Sequence, residues 1–185
     1  LVFEVREPTT APPRLPRGPL WFAEAVRDVS ALGSATVVVL TLAAVAGYLA
    51  LKGRYGPLVL TLLAASGGGT FSELMKRYFA RPRPPFGSAP TAPLSSSFPS
   101  GHAMGSMTLA LVLVALAWPT RWRWPVLIAM AVFVAMVGLS RVYLGVHYPS
   151  DILAGWTAAS VWTVGAYLLV FRGHLRPWRA GGTHT

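Results

Sequence analysis

Five stretches without one charged side chain, at 32–51, 57–72, 103–118, 124–140 and 152–171, limit what this chain can fold into. A bilayer core of about 30 Å is crossed by roughly 20 helical residues, with about 17 to 25 tolerated. The first and last stretches meet that length directly. The middle three reach it only by taking in polar residues at their ends. With 54% hydrophobic and 12% charged residues, the chain is too apolar for an ordinary soluble domain. The expected fold is all-α, a polytopic membrane helical bundle with five spans. A soluble helical bundle is the poor alternative.

The net charge of +10 invites a nucleic-acid reading. Its distribution argues otherwise. Lys52, Arg54, Arg121, Arg123, Arg172, Arg176 and Arg179 occupy alternate interhelical loops and the tail, which is the pattern of the positive-inside rule. The charge reports topology, and nucleic acid is excluded as a partner. These loops are expected in the cytoplasm, with the remaining helix ends outside. Arg6, Arg14, Arg17, Arg27, Arg77 and Arg81 fall on the outer side and oppose that bias. There is no cysteine, hence no disulfide and no thiolate metal site.

Residues 1–19 carry Pro8, Pro12, Pro13, Pro16 and Pro19 and read as a linker, too proline-rich for a signal peptide. Residues 20–29 place Trp21, Phe22, Ala25, Val26 and Val29 at helical spacing against Glu24, Arg27 and Asp28. That helix either lies in the membrane interface or leads into the next span. Ser66-Gly67-Gly68-Gly69 reads as small residues that let helices approach closely. A phosphate-cradling loop would need a preceding strand and a following Lys-Ser/Thr.

Polar residues concentrate at one set of helix ends. Lys76 and Arg83, in KRYFARPRP, would share a helix face if the helix continued past Pro82. They supply a point charge and a planar fork for phosphoryl oxygens. Arg81-Pro82 offers a competing register, and Glu73 stands three residues before Lys76, placed to pair with it. In Pro99-Ser100-Gly101-His102, Ser100 is either a plain N-cap or part of an anion site at a helix start, where Gly101 permits close approach. His102 lies one residue into an apolar helix, where ionisable groups are costly and usually functional. In SRVYLGVHYPSD, Arg141 adds a third cation, and Asp151 follows His147 by four. A carboxylate on one ring nitrogen fixes the tautomer that leaves the other free to attack. Asp151 also suits the first turn of a helix opened by Pro149, and both roles can hold together. His174 and His184 read as solvated tail residues. No His/Asp/Glu set has metal-site spacing, so metal-free chemistry without a cofactor is expected.

The ordered set Lys76-x6-Arg83-Pro84, Pro99-Ser100-Gly101-His102 and Ser140-Arg141-x5-His147-x3-Asp151 resembles the tripartite signature of the type 2 phosphatidic acid phosphatase and vanadium haloperoxidase superfamily. The resemblance runs from about Trp21 to Phe171. It selects Arg83 over Arg81 and implies phosphate binding by Lys76, Arg83, Ser100, Gly101 and Arg141. It makes His147 the nucleophile of a phosphohistidine mechanism, with Asp151 behind it and His102 as general acid. It divides the chain into a linker (1–19), a membrane phosphatase domain (20–172) and a basic cytoplasmic tail (173–185). Membrane relatives commonly have six helices, so one is expected before Leu1, which is not Met. The implied function is metal-independent hydrolysis of a lipid phosphate or diphosphate of the undecaprenyl, phosphatidate or phosphatidylglycerophosphate type. It would take place in the cell (inner) membrane with the active site facing outward. The alternatives are a vanadate-dependent haloperoxidase and an inactive lipid-binding protein.

Overall fold

A computed structural model describes residues 18–84 and 96–172. Most of the expected linker (residues 1–17), the tail from 173 with His174 and His184, and the stretch 85–95 lie outside the described residues. The rest forms six helices: α1 Leu20–Leu32, α2 Ala35–Leu51, α3 Tyr55–Phe79, α4 Gly101–Ala117, α5 Arg123–Tyr143 and α6 Pro149–Phe171.

Helix α4 is the axis of the bundle and packs against α2, α3, α5 and α6. Its small and apolar residues Ala103, Met104, Ser106, Thr108, Leu109, Ala110 and Val112 are all buried. Val38 and Leu42 of α2 meet Ala64 of α3 and Leu109 and Val112 of α4 in one core cluster; Leu60 meets Ala166 and Val170 in another. Leu40, Leu62, Ile128, Leu139, Val161 and Leu169 point outward instead. An apolar exterior around an apolar core is what a lipid solvent allows and water does not.

Glycines set the close contacts. A Cβ on Gly67 would fall 1.7 Å from the Trp162 ring, so the glycine run of α3 is the seat on which α6 lays its indole. Trp162 Nε1 completes the contact by donating to Leu63 O at 2.8 Å.

The expected count of five spans needs correction. Among the described residues, three helices, α3, α5 and α6, are long and apolar enough to cross a membrane; α1 and α2, bent by 43°, make a fourth if taken as one broken span. Gly33 and Ser34 interrupt that pair, and the Ser34 hydroxyl caps α2 by accepting from Val37 N. Helix α4 has 17 residues, about 25 Å at 1.5 Å per residue, at the lower limit of what crosses a bilayer core of about 30 Å. The apolar stretch at 32–51 is real, but the turn at Gly33 and Ser34 shortens its helix to Ala35–Leu51, while the stretch at 103–118 is short to begin with.

Candidate active site

All three polar clusters arrive at the same end of the bundle. Helix α3 stops at Phe79 because Ala80 takes a left-handed conformation (φ 42°), with its amide closing on Lys76 O, and Pro82 follows. Arg83 therefore does not share a helix face with Lys76. It reaches the site from an extended segment, where its Nη1 donates to Val146 O at 3.2 Å and lies 3.4 Å from His147 Nε2. Lys76 approaches from α3 and pairs with the largely exposed Glu73 at 3.0 Å.

The start of α4 supplies amides. Ser100 is fully buried; its hydroxyl accepts from Ala103 N at 3.4 Å, and its own amide donates to Asp151 O at 3.1 Å. Ser100 thus acts as an N-cap that ties α4 to α6, while Gly101 and His102 line the cavity. The first-turn amides of a helix have no intrahelical acceptor, which suits an anion at Gly101. A Cβ on Gly101 would sit 3.9 Å from Lys76 Nζ.

The third cluster is folded by Gly145 at φ 66°, with Val146 N closing on Arg141 O at 3.2 Å. The turn brings His147 back beside Arg141. His147 Nδ1 lies 3.4 Å from Asp151 Oδ2, close enough to pair but longer than a well-formed hydrogen bond. Catalytic hydrogen bonds are often loose before substrate tightens them. Asp151 is buried at the third position of α6, where Oδ2 also accepts from Tyr148 N at 2.9 Å. One oxygen of Asp151 thus closes the helix terminus and also faces His147 Nδ1, which makes no hydrogen bond among the described residues.

Burial pushes the His147 imidazole down to about 3; the Arg141 and Arg83 cations push the same way, and a backbone contact to Ser97 opposes them. An imidazole held that low is neutral at physiological pH. Burial also lowers Arg83, against the pull of Asp151.

Lys76, Arg83, Gly101, His102, Arg141 and His147 line one end of a cavity of about 480 Å³, and Val38, Val39, Leu42, Ala64 and Ala65 line its other end between α2 and α3. Arg141 is steadied by donating to Ser30 Oγ at 2.9 Å, while its Nε is buried without a partner. The arrangement can hold a phosphoryl group among cations, present an imidazole to it, and keep an attached chain out of water. Among the described residues, no three His, Cys, Asp or Glu side chains are grouped to hold a metal ion.

Three contributors escape a reading by motif. Ser30 lies on α1, far from any cluster, and its only signal is a polar residue seven positions after Ala23 on the buried face. Ser97, fully buried, donates from its hydroxyl to Pro82 O at 3.1 Å and fastens the first cluster to the second. Arg81, passed over for Arg83, grips Asp151 at 2.8 Å.

Comparison with known proteins agrees with this geometry. The chain is 30% identical over 143 residues to phosphatidylglycerophosphatase B of Bacillus subtilis, covering 74% of this chain and 70% of that protein. It is 43% identical over 68 residues to an undecaprenyl-diphosphatase of Sulfolobus acidocaldarius, covering 37% of this chain and 31% of that one. The crystal structure of a transmembrane PAP2-type phosphatidylglycerolphosphate phosphatase from Bacillus subtilis shares the fold, with a TM-score of 0.72 at 24% identity over 88% of this chain and 82% of that one. Residues 54–174, which hold all three clusters, match the PAP2 superfamily, and the chain belongs to that superfamily.

Proposed function

We propose that this membrane protein is a phosphatase that strips a phosphoryl group from a lipid phosphate or diphosphate through a phosphohistidine on His147. The carrying observation is the two-ended cavity: three cations and two histidines at one end, and apolar walls of α2 and α3 at the other. A phosphate on an apolar tail matches both ends at once. Relatives named as phosphatidylglycerophosphatase and undecaprenyl-diphosphatase support substrates of the glycerolipid phosphate and isoprenoid diphosphate types.

Lys76, Arg83, Arg141 and the first amides of α4 surround the phosphoryl oxygens. Charge concentrated where it develops in the transition state is the largest expected catalytic term. His147 Nε2 attacks phosphorus; the bond to the lipid oxygen breaks, and that oxygen takes a proton from His102. Water then attacks the phosphohistidine and returns a proton to His102, inorganic phosphate leaves, and His147 is regenerated. Asp151 orients His147 throughout.

The site is assigned to the outer face of the cell membrane. Support comes from the exposed Lys52, Arg54, Arg121, Arg123 and Arg172, which lie at the helix ends opposite the three clusters.

The test is phosphate release by purified protein in detergent micelles, from phosphatidate, phosphatidylglycerophosphate and an isoprenoid diphosphate, beside glycerol 3-phosphate. Lipid substrates should be strongly preferred. No release from any lipid, or bromide oxidation with added vanadate in its place, would refute the assignment.

A further inference from the structure

Arg81 is a cation that does not line the phosphate cavity. Its side chain is 37% exposed, yet its Nη1 lies 2.8 Å from Asp151 Oδ1 and 2.8 Å from Ser150 Oγ. The guanidinium also lies over the Tyr148 ring, 4.1 Å from its centroid. One side chain thus touches three of the four residues that follow His147. Its main chain faces the second cluster: Arg81 O accepts from Ser97 N at 2.8 Å and from Ser96 Oγ at 3.3 Å. Residue 81 joins the segments that deliver Arg83, Ser100 and His147.

What this grip controls follows from the two oxygens of Asp151. The carboxylate is wholly buried; Oδ2 accepts from the Tyr148 amide at 2.9 Å and stands 3.4 Å from His147 Nδ1, which makes no hydrogen bond of its own among the described residues. Oδ1 is the end that Arg81 holds. A buried charge that loses its partner is strongly destabilised, and the carboxylate would turn to find another donor. We propose that Arg81 is the positioning residue of the nucleophile. It pins Asp151 so that Oδ2 stays on the Nδ1 side of His147, which keeps the proton on Nδ1 and leaves Nε2 bare toward the cavity. This role rests on the phosphatase reading above, and it assigns opposite tasks to the two arginines of the Arg-Pro-Arg-Pro run. Arg83 faces the phosphate, and Arg81 faces the carboxylate behind the imidazole.

Arg81→Met keeps the stem and removes the fork. The expected result is a kcat lower by roughly 10- to 100-fold, with KM and the orthovanadate inhibition constant changed by no more than about threefold. Arg81→Lys, able to hold Oδ1 with a single ammonium, should recover part of kcat, and it carries the same comparison should Arg81→Met fail to accumulate. In an Asp151→Asn background, Arg81→Met should add no further loss, because both changes break the same contact. In ¹⁵N spectra of histidine-labelled protein, assigned with His147→Gln, His147 should hold one tautomer in the wild type and a mixture in Arg81→Met. A raised KM or vanadate constant with kcat kept would make Arg81 a phosphate ligand. Additive losses with an unchanged tautomer would make it a fold-stabilising residue. Either result overturns the proposal. A wild type that released no phosphate would sink the phosphatase reading, while the tautomer spectra would still decide the role of Arg81.

Discussion

Gly155 is where the distance between the two halves of the site is set, and adding one methyl group there should separate them. A Cβ at this position would stand 2.9 Å from Ser100 O, 3.0 Å from Ala103 Cβ and 3.3 Å from Met104 Cγ. The first of these is backbone at the start of α4 and cannot swing away. Non-bonded carbons prefer about 3.5–4.0 Å, so α6 must retreat from α4 by roughly 0.5–1 Å. Overpacking of this kind costs about 1–3 kcal/mol, partly offset by the ~0.5–1 kcal/mol that alanine gains over glycine in a helix. The matched control is Gly165→Ala, ten residues along the same helix, where a Cβ meets nothing within 4 Å. The propensity gain is common to both variants and cancels between them. The packing term of about 1–3 kcal/mol remains as the difference in their stabilities. Activity should suffer more than stability. The retreating helix carries Asp151, whose carbonyl holds the Ser100 amide, and a misplacement of about 1 Å can cost on the order of 100-fold in rate. Purified wild type, Gly155→Ala and Gly165→Ala would be compared by phosphate release and by thermal unfolding in one detergent. Gly165→Ala should match or exceed the wild type in both. A Gly155→Ala protein with wild-type kcat that unfolds no earlier than Gly165→Ala would show that this contact does not set the site.

The other expectations are simpler to check. His147→Ala should abolish turnover, while His102→Ala should still accumulate labelled phosphoprotein from a substrate with a good leaving group; label trapped on His102 instead would reverse their roles. Activity should survive EDTA and be inhibited by orthovanadate, since cations and helix amides neutralise the phosphoryl group; loss in EDTA restored by Mg²⁺ would contradict this. His147 sits at about 3 in the fold against about 6.5 unfolded, so between those values only the unfolded state takes up the proton. Stability should therefore fall as pH drops from 6.5 toward 3, by up to about 1.4 kcal/mol per unit, and thermal unfolding of His147→Gln should lack that component. In intact cells an impermeant thiol reagent should label Thr91→Cys, between the first two clusters, and spare Lys52→Cys; the opposite pattern would put the chemistry in the cytoplasm.

The residues that carry charge into an apolar chain were legible, because each is expensive where it stands. His102 stands out in the sequence, since an ionisable group one residue into an apolar helix needs a reason to be there, and Asp151 stands out by following His147 at four residues. What stayed hidden was pairing across the chain. Nothing local distinguishes Arg81 from Arg83: both precede proline, and only the left-handed Ala80 and the extended run after it decide which arginine faces Asp151 and which faces His147. Ser30 was hidden for the same reason. Its partner lies 111 residues away, and one hydroxyl on an amphipathic helix carries no sign of that.

The span count failed for a different physical reason. Hydropathy measures how apolar a stretch is, not whether the helix built from it must face lipid from end to end. Helix α4 packs on four neighbours and buries most of its residues from Ala103 to Val112 among them, so it does not face lipid along its whole length. A short central helix begins inside the bundle, with its first amides and His102 set among the surrounding helix ends rather than beyond them. Those ends are α3 with Lys76, the turn after α5 with His147, and the start of α6 with Asp151. Lys76, His102 and His147 together line one end of a recess of about 480 Å³ whose other end is walled by apolar residues of α2 and α3.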